Sequence, residues 1–230
     1  MLKGAPPLAL VLILISISAS VLCHDRITTK VTWTRDIAPL VEARCVSCHK
    51  PDGRGPMSLV TYEDARPWAK AIKEEVLARR MPKWHAARGF GDFANDPSLS
   101  PFEIATIVAW ADGGAPRELP GAPPAAQPTF PRAPTADTGA RKTRQVTLPC
   151  GEQSLPAGRL LAVQPTLPAG GSAGIAVRLP DGRREIVAWI REFDPEFAET
   201  YWLRTPIALP KGSRLVVETA GSCSVALTIG

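Results

Sequence analysis

Cys45-Val46-Ser47-Cys48-His49 is the stretch on which the reading of this chain turns. Two thiols at the C-x-x-C spacing can form thioethers to the two vinyl groups of one porphyrin. The imidazole that follows at once lies close enough to bind the iron from one face, and C-x-x-C-H is the pattern of covalent haem attachment. The competing readings need more than the chain supplies. A zinc site requires two further Cys or His ligands at comparable spacing, and a redox dithiol requires a strand-helix-strand setting; neither accompanies the motif. Cys45 and Cys48 are therefore the expected attachment residues for one covalent haem, with His49 as an iron ligand.

Working outward, the flanking segments read as helical. Thr34 is the expected cap of a short helix through Asp36, Ile37, Leu40 and Val41, whose spacing puts the apolar residues on one face. After the motif, residues 50–56 form a loop by their Pro and Gly content. Thr61-Tyr62-Glu63-Asp64 then leads into a helix expected over residues 65–80, with Pro67 in its first turn. A long Gly-, Asn- and Asp-containing loop spans residues 82–99. Ser100-Pro101-Phe102-Glu103 combines a cap, a first-position proline and a box-closing glutamate; Ile104, Ile107, Val108 and Ala111 make one stripe, and Gly113 ends the helix.

The second axial ligand decides what a haem can do, because a methionine keeps the iron six-coordinate and suits electron transfer, whereas an open position suits ligand binding or peroxide chemistry. Met81 is the expected ligand: it follows a helix that carries the chain away from His49, and Pro82 restricts it to extended backbone. Met57, only eight residues after His49, and His85 are the alternatives. Trp68 and Trp84 flank this region as crevice-lining or core aromatics.

The order of helix, motif, long loop and capped final helix over residues 29–117 is similar to that of a class I cytochrome c. Arg80-Met81-Pro82-Lys83-Trp84-His85-Ala86, with Phe93-Ala94-Asn95-Asp96 and Val108 to Pro116, resembles a bacterial subfamily of single-haem cytochromes often fused to copper monooxygenase modules. In that subfamily a second proline usually follows the Met-Pro, where this chain has Lys83. The resemblance implies an all-α cytochrome c domain, one haem c, one-electron transfer and redox protein partners. A membrane-bound redox complex is the larger assembly it would serve.

Residues 1–24 read as an export signal: Lys3, then an apolar run too short to span a bilayer comfortably, with Ser18-Ala19-Ser20 for cleavage. The expected location is periplasmic or otherwise exported, with an uncleaved N-terminal anchor as the alternative. A net charge of +5, from 27 Lys and Arg against 22 Asp and Glu, is too mild and too dispersed to mark a nucleic-acid partner.

Residues 118–143 form a Pro-rich linker by composition. Beyond it, short runs rich in Val, Ile and Leu alternate with turn signals such as Pro180-Asp181-Gly182 and Pro210-Lys211-Gly212, which predicts an antiparallel β-sandwich over residues 144–230. Cys150 and Cys223 are candidates for a disulfide, which an oxidising compartment permits. Leu161 to Pro165, Leu179 to Glu185, Tyr201-Trp202 and Ile207 to Ser213 resemble the C-terminal sandwich of copper type II, ascorbate-dependent monooxygenases. That family places a His-x-His copper pair after the Gln-Pro; this chain has Thr166-Leu167-Pro168 there and no histidine after His85. A copper-free docking or assembly module is what the resemblance then implies.

The expected fold is thus multidomain, an all-α cytochrome c domain followed by an all-β antiparallel sandwich. The expected function is exported one-electron transfer, with no side chain assigned a catalytic role. The alternative is a subunit of a haem or copper oxidoreductase complex.

Overall fold

The computed structural model describes residues 28–119, 121 and 143–230. The expected signal segment and nearly all of the expected Pro-rich linker lie outside the described residues. In residues 28–119 helical structure comes in three short segments. A π-turn, Trp33–Ile37, runs into α1, Ala38–Arg44. A second segment joins α2, Tyr62–Ala65, through a 3-10 turn at Arg66–Trp68 to α3, Ala69–Leu77. The third is α4, Pro101–Asp112.

Each start has a local cause. Thr32 caps the first segment where Thr34 was expected: its hydroxyl accepts from the Arg35 N–H at 3.4 Å, and Asp36 Oδ2 accepts the Thr32 N–H at 2.8 Å. Thr34 instead directs its N–H to the Arg117 carbonyl at 3.2 Å. Thr61 with Asp64, and Ser100 with Glu103, form reciprocal capping boxes. The second segment ends at Leu77, short of residue 80, because Arg79 turns to a φ of 55°, outside the right-handed helical region.

Trp33 packs against Trp110 and Tyr62, with ring centroids 5.8 and 6.1 Å apart. The Trp110 indole N–H donates to the Pro116 carbonyl, and the Tyr62 hydroxyl donates to the Ala115 carbonyl. Leu40, Ile37, Ile107 and Trp110 are almost completely buried at the centre of this cluster.

Residues 143–230 form two four-stranded antiparallel sheets. One has the order β1 (Arg144–Pro149), β8 (Ser224–Ile229), β3 (Gly158–Thr166), β6 (Tyr201–Leu209). The other has the order β2 (Gly151–Ser154), β7 (Arg214–Thr219), β4 (Ala173–Arg178), β5 (Arg184–Ile190). Leu160, Val163, Ile175, Val177, Val187, Leu215 and Leu227 alternate inward and fill the space between the sheets. At Leu179–Arg183 the β4–β5 hairpin closes on a Gly182 with φ of 86°.

Two strands form against local residue preference. Gly151-Glu152-Gln153-Ser154 lacks β-branched residues, yet it pairs with β7 because the chain crosses to the second sheet at Cys150. β6 runs from Tyr201 to Leu209 and tolerates Pro206 because it is an edge strand. Cys150 and Cys223 are disulfide-bonded, with Cα atoms 5.4 Å apart. The bridge ties the β1–β2 crossing to the return from β7 to β8, and the Cys150 N–H also donates to the Cys223 carbonyl.

The described molecule is therefore mostly β, and the expected all-α cytochrome c domain preceding the sandwich is not what forms. Gly and Pro in residues 50–56 and 82–99 break the helical run into short pieces. Part of the second loop is recruited by the β core. Ala86 bridges to Ile190 on edge strand β5, and Phe93 bridges to Leu203 on edge strand β6. The Ala87 N–H donates to Trp189 O at 2.7 Å and the Ala94 N–H to Trp202 O at 2.8 Å. Asn95 adds bonds to both Thr200 and Trp202. Residues placed by sequence inside a helical domain thus act as a strap over two sheet edges, satisfying backbone groups that edges otherwise leave open.

Two stability predictions follow from this architecture. Replacing both Cys150 and Cys223 with Ala releases a closed loop of 73 residues' separation and is expected to cost about 2–5 kcal/mol in urea unfolding under oxidising conditions. Wild type under reducing conditions should show the same loss. Arg44 Nε donates to Glu103 Oε1 at 3.0 Å, with both side chains nearly buried. Burial opposes ionisation of Glu103, but the Ser100 N–H and Arg44 outweigh it and hold the carboxyl below its usual range. Glu103→Gln leaves the Arg44 charge unpaired and should cost about 3–5 kcal/mol near neutral pH. Because the folded value is depressed, the ionisation-linked part of this stability is full above the unfolded value of about 4.3 and fades as pH falls through the folded one. The gap between wild type and Glu103→Gln should therefore narrow in acid.

Candidate cofactor site

α1 ends at Arg44, and the chain then turns twice through the motif: the Cys45 and Val46 N–H groups both donate to Val41 O, and the Cys48 and His49 N–H groups both donate to Cys45 O. This coil places Cys45, Cys48 and His49 on the wall of one cavity of about 630 Å³. Leu59, Trp68, Ile72 and Val76 supply apolar lining from the far side of the loop and from the second helical segment. Met57, Met81, Pro82 and Trp84 complete much of the remainder.

Cys45 and Cys48 are free thiols. Burial, with the neighbouring Cys48, pushes the Cys45 thiol up to about 12, so it stays protonated at neutral pH. His49 is oriented by its Nδ1, which lies 3.1 Å from the Met57 carbonyl oxygen. A carbonyl only accepts, so Nδ1 is the donor in this contact, and in the neutral imidazole the lone pair is left on Nε2. Gly55 permits this placement, since a Cβ there would fall 2.6 Å from His49 Nδ1. Sequence reasoning treated Gly55 as a loop residue only.

The axial candidates separate in space. Met81 and Met57 both line the cavity, Met81 on the stretch after α3 and Met57 on the loop that holds His49. His85 does not line it. Its ring packs against Phe193 with centroids 5.4 Å apart, burial lowers its proton affinity, and its Nδ1 has no hydrogen-bond partner among the described residues. Trp68 and Trp84 both reach the cavity, and Trp84 also stacks edge-on against Tyr201 at 4.7 Å, joining cavity wall to sandwich core. Tyr201 is fully buried in the sandwich core.

Sequence reasoning missed a second wall. Phe197 and Glu199, from the loop between β5 and β6, line the same cavity together with Arg54 and Lys83. Arg54 Nη2 donates to Glu199 Oε1 at 2.7 Å and lies 3.8 Å from Cys48 Sγ, while its Nη1 reaches the Glu196 carbonyl at 3.4 Å. The Arg54 guanidinium and the Lys83 ammonium each sit 5.6 Å from the centre of the Phe197 ring. No sequence signal links residues nearly 150 positions apart.

Among the described residues no cluster of three or more His, Cys, Asp or Glu could hold a metal ion by itself. No described helix is long and apolar enough to cross a membrane. No protein-family model matches the chain, and no curated protein matches it. A solved structure from a study of AlgX of Pseudomonas aeruginosa is similar over 40% of this chain and 27% of its own length, at 16% identity and a TM-score of 0.25; the chain thus spans about a quarter of that protein, and the likeness carries no argument. The resemblance to a class I-like cytochrome c fused to a degenerate copper-monooxygenase sandwich is accordingly corrected: the described fold is mostly β with short helices, and no comparison places the chain in either family.

Proposed function

We propose that this protein is an exported redox carrier in which Cys45 and Cys48 covalently hold one c-type haem for one-electron exchange with redox protein partners. The observation that carries the reading is the convergence of two free thiols, an imidazole with its Nε2 lone pair free and two thioethers on one largely apolar cavity. Three features of the residues fit such a group. The cavity is of the size that encloses a cofactor. Gly55 leaves room for the His49 ring. The Met57 carbonyl selects the tautomer that a metal-binding histidine needs.

Attachment asks little of the protein beyond placement. Cys45 and Cys48 would hold the group through thioethers, each S–H adding across one vinyl C=C with sulfur on one carbon and hydrogen on the other, with no net oxidation. His49 Nε2 and Met81 Sδ would be the donors that hold its iron. The apolar lining of Leu59, Ile72 and Val76 excludes water and favours the less charged redox state. When bound, the haem supplies the reversible one-electron chemistry of its iron. No side chain of the chain needs to act as acid or base.

Optical spectra of the matured protein test this reading. The expected result is a haem that acid acetone does not extract, with a weak near-infrared thioether-to-iron band that disappears in Met81→Ala and survives in Met57→Leu. Colourless or freely extractable material overturns the haem assignment; a band that survives Met81→Ala overturns the axial one.

A further inference from the structure

The loop between β5 and β6 is rooted firmly in the sandwich. Phe193 is almost fully buried among core residues, and its backbone exchanges hydrogen bonds with the 170–171 turn, from Phe193 N–H to Gly171 O and from Gly170 N–H to Phe193 O. Asp194 then caps a single 3-10 turn, Pro195–Phe197, by accepting the Glu196 N–H at 3.1 Å. From that fixed root the chain carries Phe197 and Glu199 to the cavity that Cys48 and His49 line.

Two cations converge on the Phe197 ring: Arg54 from the loop after His49 and Lys83 from the stretch after Met81. Arg54 is at once close to Cys48 Sγ, bonded to Glu199 and in reach of Glu196 O. An exposed ion pair of this kind contributes little and would not hold the loop alone. The buried Phe193 anchor does that; Arg54, Glu199 and Lys83 fix where the Phe197 ring rests.

We infer that the β5–β6 loop is a wall of the cofactor site, Phe197 excluding water at the Cys48 side and Arg54 with Glu199 acting as its clasp, so that the sandwich raises the reduction potential of the group held by Cys45, Cys48 and His49. The inference rests on the haem reading above. Phe197, Arg54 and Glu199 are positioning residues. Opening the wall admits water, which favours the more charged oxidised state and lowers the potential.

The test uses the full haem-loaded chain as wild type, Phe197→Ala, Phe197→Leu and Glu199→Gln, read by midpoint potential, the near-infrared band and amide hydrogen exchange. Phe197→Ala is expected to keep the band and shift the redox equilibrium about tenfold toward the oxidised form, about 59 mV for a one-electron couple. Phe197→Leu should restore most of that shift, and Glu199→Gln should speed exchange over residues 195–199 with a smaller shift. An unchanged potential in Phe197→Ala overturns the inference, as does an equal drop in Phe197→Leu. Loss of the band in Phe197→Ala assigns the residue to ligand placement and also overturns it. Colourless wild type defeats the haem reading itself, a result separate from all of these.

Discussion

The hydrogen bonds by which residues 85–95 cover the open edges of both sheets are the constraint on which the rest of this structure depends. His85 O accepts from the Arg191 N–H, the Ala87 N–H donates to Trp189 O, and four residues of the same strap reach β6 or its start through backbone or side-chain bonds. Because β5 and β6 belong to different sheets, the strap fixes the spacing of the sandwich at one end. Its N-terminal continuation is Met81-Pro82-Lys83-Trp84, so the same bonds fix where the Met81 stretch can lie. A segment that would otherwise be a solvated loop becomes the joint between the helical cluster and the β core.

That joint explains why the cavity has walls from both ends of the chain. α1 and the coiled motif supply Cys45, Cys48 and His49; the second helical segment supplies Trp68, Ile72 and Val76; the β5–β6 loop supplies Phe197 and Glu199. Trp84 serves both sides, lining the cavity and packing on Phe93 and Tyr201. The cavity lining is largely apolar, with Arg54, Lys83 and Glu199 among its charged members. The disulfide contributes at the far end, pinning both crossings between sheets so that strap and bridge constrain opposite ends of the β layers.

Much of the local structure was legible because it has local causes. Ser100, Pro101 and Glu103 announce α4, and the capping box they form is the one observed. Thr61 and Asp64 do the same for α2. The hairpin at Leu179–Arg183 follows from Pro-Asp-Gly chemistry. Errors arose where non-local contacts decide. Thr34 looks as good a cap as Thr32 until Asp36 and Arg117 are in place. Gly151–Ser154 has no strand propensity and becomes a strand because the chain must pair with β7 after the crossing. The all-α reading of the first half took residues 82–99 as a loop of a helical domain, where residues 85–95 are in fact claimed by sheet edges.

By itself the sequence determined the chemical inventory and the spacing that matters: two thiols and an imidazole within five residues, and a β-rich second half with its two cysteines. These are properties of covalent adjacency and of backbone propensity, which act within a few residues. Only the tertiary structure decided that Met81 shares a cavity with His49 while His85 is turned against Phe193, and that Arg54 meets Phe197 and Glu199. Such contacts join residues far apart in the chain, and their positions are set by edge pairing and burial of the whole core, quantities no short window of residues contains.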